Sequence, residues 1–387
     1  MTVQLPPLPQ DPIVSEIREV AERLRLSDRY RELDRHPAFP RAEFRALGEA
    51  RLLGLHTAES LGGRGLPLPR AGVALFHLAH ASGTTFAKLS LQPEFSSVLA
   101  EHGAPELVER WFRPLIRGEQ LVGNHLTEPG AGSDAVALEM TATPDGDQYV
   151  LNGTKSEAAF AADADAAIVY AKVPSGGPRG GITAFLVPQG LPGIARHPGI
   201  GDLGERWQRR GTVAYTRVRV PKSHRIGEEG AGFDYVRAEL TRERALLAAI
   251  YLGVARASWD ETVAYVGERV AFGRPLSAQE AVAFPLVEDG ARLSATWQYL
   301  ERTLERLERG ERADAEAAMA KWMAGEAALV AIDHAIQFHG GRGYSQALPH
   351  EQRWRDVRSG PIAHGPAEIM HLVAARQLWP RPAPSSR

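Results

Sequence analysis

Three stretches of this sequence carry residues whose types and spacing could do chemistry. The first is Leu126-Thr-Glu-Pro-Gly-Ala-Gly-Ser-Asp134. Gly130 and Gly132 allow close approach of backbone to a ligand, and the turn's amides with the Ser133 hydroxyl could hold a phosphate. For an isolated Gly-x-Gly, an ordinary surface turn is the favoured reading. The second is Glu243. Val236, Leu240, Leu247, Ile250 and Val254 recur at helical spacing, and Glu243 falls on the same stripe. A carboxylate on an apolar face loses hydration, which makes it a better base near neutrality. An ion pair with Arg244 or with a neighbouring helix is the other reading. The third is His364, whose imidazole can take a proton at neutral pH. It is a weaker base than a dry carboxylate, and a substrate contact suits it as well.

Composition narrows the classes. A chain of 387 residues has room for two or three domains with substantial cores. A net charge of -2 gives no reason to invoke nucleic acid. With no cysteine there are no disulfides, thiol nucleophiles or thiolate metal sites, and no metal site is expected. The start, Met1-Thr-Val-Gln-Leu-Pro-Pro7, lacks the basic region and apolar core of a signal peptide. The longest apolar run, Ala245 to Ala255, is about half of the roughly 20 residues that a membrane span needs. A soluble, cytoplasmic protein without membrane partners is expected.

The elements that must position these residues follow from periodicity. Asp11-Pro12 opens a helix carrying Ile13, Ile17, Val20 and Leu24 at helical spacing. Pro37 and Pro40 break it, and Phe44, Leu47 and Leu52 suggest a second. After a glycine-rich loop at Leu61 to Gly65, helical sequence runs from Ala71 to Leu99 and from Leu107 to Leu115. Residues 1–125 therefore read as an all-helical domain. Pro144 to Asp147 and Asn152-Gly153 are turn signals between short strands. Ala167 to Val173, Ile182 to Val187 and Val213 to Val220 are further strands, the first two joined by a loop with four glycines. Residues 126–225 read as a small β-barrel or sandwich. Helical segments near 233–256, 258–270, 279–308, 313–339 and 366–379 make 226–380 a bundle, with 381–387 a frayed tail.

Helical, then β, then helical is the domain order of the acyl-CoA dehydrogenase family of FAD flavoproteins, which this chain resembles from about Ile13 to Leu378. Leu126 to Asp134 is similar to the family's Thr-Glu-Pro-x-x-Gly-Ser-Asp, which lies along the FAD and implies contacts at Leu126, Thr127, Gly132 and Ser133. Arg269-Val-Ala-Phe272-Gly-Arg-Pro-Leu276 resembles Arg-x-x-Phe-Gly-x-Pro-Ile, whose Arg and Phe touch the FAD of a neighbouring subunit. A guanidinium suits pyrophosphate oxygens, and a ring packs on the cofactor. Gln337-Phe-His-Gly340-Gly341-Arg-Gly-Tyr344 resembles Gln-x-x-Gly-Gly-x-Gly-Tyr, and Pro349 to Glu351 with Arg355-Asp356 continues the pattern. The resemblance adds Glu280, Pro366 and Glu368 to the cofactor set, and Ser133, Arg244 and Gly365 as substrate contacts.

The sequence also departs from the family. Where members have Lys-x-Trp-Ile-Thr-Asn, this chain has Lys155-Ser-Glu157-Ala-Ala159-Phe160, losing a side-chain donor to the flavin edge and leaving Glu157 and Ala159 there. Glu280 stands where a Gln is expected. Most members carry their base in Tyr-Glu-Gly-Thr, which here is Ala363-His364-Gly365-Pro366. A subgroup similar to isovaleryl- and long-chain acyl-CoA dehydrogenases places the base within Leu-x-x-Glu-Arg, and Leu240-Thr-Arg-Glu243-Arg244 matches it. The resemblance implies an FAD-dependent dehydrogenase that introduces an α,β double bond into an acyl thioester. The base removes the α-proton while hydride leaves Cβ for the flavin, and Glu243 and His364 both remain open as that base. Electrons would go to an electron-transfer flavoprotein or another acceptor. CoA and a carrier protein are both open as the thioester handle, and a homodimer or homotetramer is implied. The many departures raise a specialised biosynthetic role. A flavin-dependent monooxygenase of the same fold, or a flavin-poor binding homologue, are the alternatives.

Overall fold

The computed structural model describes residues 8–174 and 181–379. The readings on the first seven residues, on the glycine loop at 175–180 and on the tail from Pro380 lie outside the described residues. The chain divides into two compact units. Met1–Ser27, Pro67–Ala87 and Thr241–Arg387 form one, and Asp28–Leu66 with Lys88–Leu240 the other.

Helices come first: α1 Ile13–Arg23, α2 Leu26–Arg35, α3 Arg41–Glu49, α4 Leu68–Ser90, α5 Ser97–His102, α6 Pro105–Leu107 and α7 Arg113–Ile116. At the start of α1 the Asp11 carboxylate accepts the Ile13 amide at 3.0 Å, and Ile13, Ile17 and Val20 are buried as their spacing predicts. The helical run expected from Ala71 to Leu99 instead ends at Ser90 and is kinked at Gly83. Gly83 has φ 70°, a conformation a side chain resists.

The β region is one sheet of eight strands: β1 Val122–His125, β2 Thr141–Asp145, β3 Gln148–Ala158, β4 Ala166–Lys172, β5 Ile182–Pro188, β6 Ile194–Pro198, β7 Gly211–Pro221 and β8 Arg225–Ile226. Their order is β6-β7-β3-β2-β4-β5-β8, with β1 running parallel to β4. Tyr149, Leu151, Val169, Phe185, Val213 and Tyr215 fill its core. The turn read at Pro144 to Asp147 joins β2 to β3, with Asp145 opposite Gln148 and Gly146 at φ 64°. Asn152-Gly153 is not a turn. It lies inside β3, where the pairing with β7 slips by a bulge and the Asn152 side chain accepts the Arg217 amide at 2.8 Å.

A long-helix region follows: α8 Gly232–Glu268, the short hairpin β9 Val270–Ala271 and β10 Arg274–Pro275, α9 Glu280–Glu308, α10 Asp314–His339, α11 Gly341–Tyr344, α12 His350–Val357 and α13 Ala367–Leu378. The two segments expected at 233–256 and 258–270 are the single helix α8. No Pro interrupts the sequence near Ala257, and the Thr262 hydroxyl donates back to the Ser258 carbonyl at 2.7 Å without breaking the helix. The apolar run from Ala245 to Ala255 is buried throughout. Gly253 lets α8 lie against α4, because a Cβ there would sit 2.2 Å from the Phe76 carbonyl oxygen. The order of helices, then sheet, then helical bundle is therefore the one the sequence patterns predict.

Candidate active site

Glu243 lies on α8 with 2% of its surface exposed. The turn that leads into α13 brings His364 to it, with Nε2 3.6 Å from Glu243 Oε2. The two candidate bases thus meet in one cluster. His364 takes a left-handed φ of 55° and Gly365 follows at 96°. This turn is pinned at both carbonyls. Arg244 Nε donates to the His364 oxygen at 3.0 Å, and Lys321 Nζ, from α10, donates to the Gly365 oxygen at 2.6 Å. A Cβ at Gly365 would approach Met370 Cε to 2.7 Å and Arg244 Nη2 to 3.3 Å, both ends of flexible side chains, so it is the positive φ that favours glycine here. Burial lowers the pKa of Arg244, with the charges of Glu243 and Asp314 opposing that shift. Arg244 and Gly365, expected as substrate contacts, also frame the Glu243–His364 pair. Lys321 carries no signal in the sequence beyond being a lone lysine among alanines on a buried helix face.

The stretch from Leu126 to Asp134 is fixed from beneath by a buried ion pair. Lys155 Nζ lies 2.7 Å from Glu128 Oε1 and donates to the Leu126 carbonyl at 2.9 Å. Glu128 also accepts the amides of Glu139 at 2.6 Å and Met140 at 3.1 Å. Lys155 is fully buried, and desolvation lowers its pKa to about 8 against the opposing pull of Glu128. The Ser156 amide donates to the Thr127 carbonyl at 3.0 Å. Gly130, Gly132 and Ser133 are left exposed above this base, and a Cβ on either glycine would meet nothing within 4 Å.

The departures at 157–160 form one local arrangement. Glu157 sits at the bulge ending β3 with φ 52°, its side chain 64% exposed and 3.0 Å from Arg210 Nη1, which also binds Asp202. Phe160 is buried and packs edge-on against Phe39 at 5.6 Å and beside Trp207 at 5.6 Å. Ala159 is half-buried between them. Phe160 thereby joins an aromatic cluster with Phe39 and Trp207.

Three domain models cover nearly the whole chain: acyl-CoA dehydrogenase N-terminal domain at residues 9–119, middle domain at 123–218 and C-terminal domain at 230–379. The chain belongs to the acyl-CoA dehydrogenase family. It is 34% identical over 348 residues to the mitochondrial short-chain specific acyl-CoA dehydrogenase of Mus musculus, covering 90% of this chain and 84% of that one. Among solved structures, the prolyl acyl carrier protein oxidase AnaB superposes with a TM-score of 0.89 at 26% identity, covering 96% of this chain and 100% of that one. The FAD complex of PigA gives 0.87 at 25%, covering 96% and 99%. This acyl-CoA dehydrogenase is an oxidoreductase that acts on CH–CH groups of acyl thioesters with FAD as its cofactor.

The residues present fit a dinucleotide. Arg269, Phe272, Gln337, Gly340 and Gly341 are all exposed, Phe272 at 97% on the tip of the β9–β10 hairpin. A guanidinium, an aromatic ring, a carboxamide and glycines with open faces are donors and surfaces suited to phosphate and a flat ring. Glu280 is the first residue of α9, where a negative charge complements the helix dipole, so its carboxylate has a local reason to be there. Pro366 is the N-cap of α13 and Glu368 lies exposed in its first turn. Among the described residues no helix is long and apolar enough to cross a membrane.

Proposed function

We propose that Glu243 is the base of this acyl-CoA dehydrogenase and that His364 is its immediate partner. The observation that carries this is a carboxylate 2% exposed held 3.6 Å from an imidazole whose side chain is 28% exposed. Of the two groups, the drier one is the stronger base toward carbon, because less water must be removed from it as it takes the proton. Glu243 Oε2 removes the α-proton of the thioester. FAD, when bound, supplies the acceptor for the hydride from Cβ. His364 Nε2 faces the carboxylate and fixes its orientation, while Arg244 and Lys321 hold the turn that carries His364.

Contacts to FAD are proposed at Leu126, Thr127, Gly132, Ser133, Glu157, Ala159, Arg269, Phe272, Glu280, Gln337, Gly340, Gly341, Pro366 and Glu368. Contacts to the thioester are proposed at Ser133, Arg244 and Gly365. The domain division follows residues 125 and 225. Electrons leave to an electron-transfer flavoprotein or a comparable acceptor, and the enzyme works as a homodimer or homotetramer in the cytoplasm. The exposed large apolar side chains of Val270, Phe272, Phe284, Val287 and Tyr344 support assembly.

Anaerobic mixing of the FAD-loaded enzyme with a panel of acyl-CoA and acyl-carrier-protein thioesters tests this reading. Bleaching of the flavin by one of them, reversed by an electron acceptor with release of the α,β-unsaturated product, is the expected result. Product formation only from externally reduced flavin and oxygen would contradict it.

A further inference from the structure

We infer that Lys321 is a positioning residue for the Glu243 base, acting through the Gly365 carbonyl. This rests on the assignment of Glu243 proposed above. Lys321 is 1% exposed on α10, on a face otherwise made of Ala317, Ala318, Ala324, Gly325 and Ala328. A buried ammonium on such a face is costly, and a hydrophobic residue would pack there at least as well. What the ammonium provides is a donor long enough to reach across the alanine shelf. Its Nζ meets the Gly365 oxygen at 2.6 Å, a charge-assisted bond.

The receiving turn needs such a tether. A non-glycine residue at positive φ persists only where its surroundings over-determine it, and His364 is that residue. Arg244 fixes the carbonyl of His364 and Lys321 that of the next residue, so two cations on two different helices hold consecutive peptide units. The Ala367 amide closes the same loop onto the Pro361 carbonyl at 3.0 Å. Gly325, one helical turn beyond Lys321 on the same face, lies against this loop. A Cβ at Gly325 would be 3.4 Å from Pro361 Cδ. The result is that His364 Nε2 is presented to Glu243 at 3.6 Å. Removing the Lys321 donor frees the Gly365 carbonyl, lets His364 leave the left-handed region and loosens the carboxylate's orientation.

The charged groups around this cluster are Glu243 and Arg244 from α8, Asp314 and Lys321 from α10, and His364 from the turn. Thr241 donates to Asp314 at 3.0 Å, Arg312 binds the same carboxylate at 2.9 Å, and Glu368 of α13 is exposed. A change in the pH profile on mutation of Lys321 is therefore read through the Glu243–His364 pair and checked by a signal from His364 itself.

The test uses the full-length FAD-loaded enzyme with Lys321→Met, Lys321→Arg and Glu243→Gln. Three quantities are read: the rate of flavin reduction against pH, the imidazole nitrogen resonances of His364 in 15N-histidine-labelled protein, and the thermal midpoint. Lys321→Met is expected to slow reduction by about tenfold or more, shift the pH profile and move the His364 resonances. Lys321→Arg, which keeps a charged donor, is expected to recover much of each. Adding Lys321→Met to Glu243→Gln is expected to slow the residual rate no further. A Lys321→Met enzyme with an altered thermal midpoint but an unchanged pH profile and unchanged His364 resonances would overturn the proposal, leaving Lys321 a packing residue. Should Lys321→Met not fold, Lys321→Gln is read in its place by the same criteria. If Glu243→Gln retains activity while Lys321→Met still moves the His364 resonances, the base assignment has failed and the tether has not.

Discussion

At the scale of single residues, the burial of Glu243 was legible because its position on an apolar stripe of α8 predicts it. Its partnership with His364 was not. The two lie 121 positions apart in the chain, and only the left-handed turn before α13 brings the imidazole to within 3.6 Å. Replacing His364 with Gln is expected to lower the rate of flavin reduction by about 10- to 100-fold while FAD stays bound, less than a lost base would. Stopped-flow absorbance at the oxidised flavin band measures it. Lys321 was invisible for a different reason. A lysine in an alanine-rich helix reads as a solvated charge, and only the packing of α10 against the His364 turn shows where its ammonium goes. The substitutions at Glu157 and Phe160 were legible as departures, but their meaning needed three dimensions. Phe160 completes an aromatic cluster with Phe39 and Trp207, and Phe160→Ala is expected to destabilise the enzyme by about 3–5 kcal/mol in denaturant titration.

Elements explain why the motifs work as units. The Leu126 stretch and the Lys155 strand were read as separate signals. The structure shows that the surviving lysine of the second holds the glutamate of the first, so that β3 is the platform on which the turn is built. Breaking one partner of a buried pair leaves the other uncompensated, which costs about 3–5 kcal/mol. Lys155→Met is therefore expected to lower stability by that amount and to weaken FAD uptake by the apoprotein, measured by fluorescence titration. A variant with unchanged FAD affinity would show that the turn holds its shape without the pair. The same scale accounts for the misreadings. Asn152-Gly153 has turn chemistry but is absorbed into β3 because the Asn152 side chain satisfies an amide on β7. The break expected near residue 257 fails because nothing in the local sequence opposes one continuous α8. Conversely, Gly83 kinks α4 where periodicity alone predicts an unbroken helix.

For the molecule as a whole, the alternation of helical and strand periodicity made the fold readable from end to end, since each region keeps one period over about 100 residues. Assembly was not readable from periodicity. The exposed apolar side chains near the β9–β10 hairpin lead us to expect a dimer or tetramer in sedimentation velocity, and a monomer would remove the proposed role of Phe272 between subunits. Acid stability is a second whole-molecule property. Desolvation lowers the pKa of His125 to about 4 and of His350 to about 3, one in each compact unit. Both imidazoles are buried neutral, and the unfolded chain takes up their protons below about 6.5. The stability they contribute is thus complete above that pH and is lost as pH falls toward 4 and then 3. For His125 alone the loss amounts to about 3 kcal/mol. Unfolding titrations at pH 7 and pH 4.5 are expected to show a clear decrease, reduced in His125→Gln relative to its own pH 7 value. The proposed reaction depends most on the base. The deciding measurement is the rate of flavin reduction by an acyl-thioester substrate in FAD-loaded Glu243→Gln beside FAD-loaded His364→Gln. A loss of about 10²- to 10⁴-fold in Glu243→Gln, clearly larger than that in His364→Gln and with full flavin content in both, is the predicted result. Near-normal reduction in Glu243→Gln, or a larger loss in His364→Gln, would contradict it.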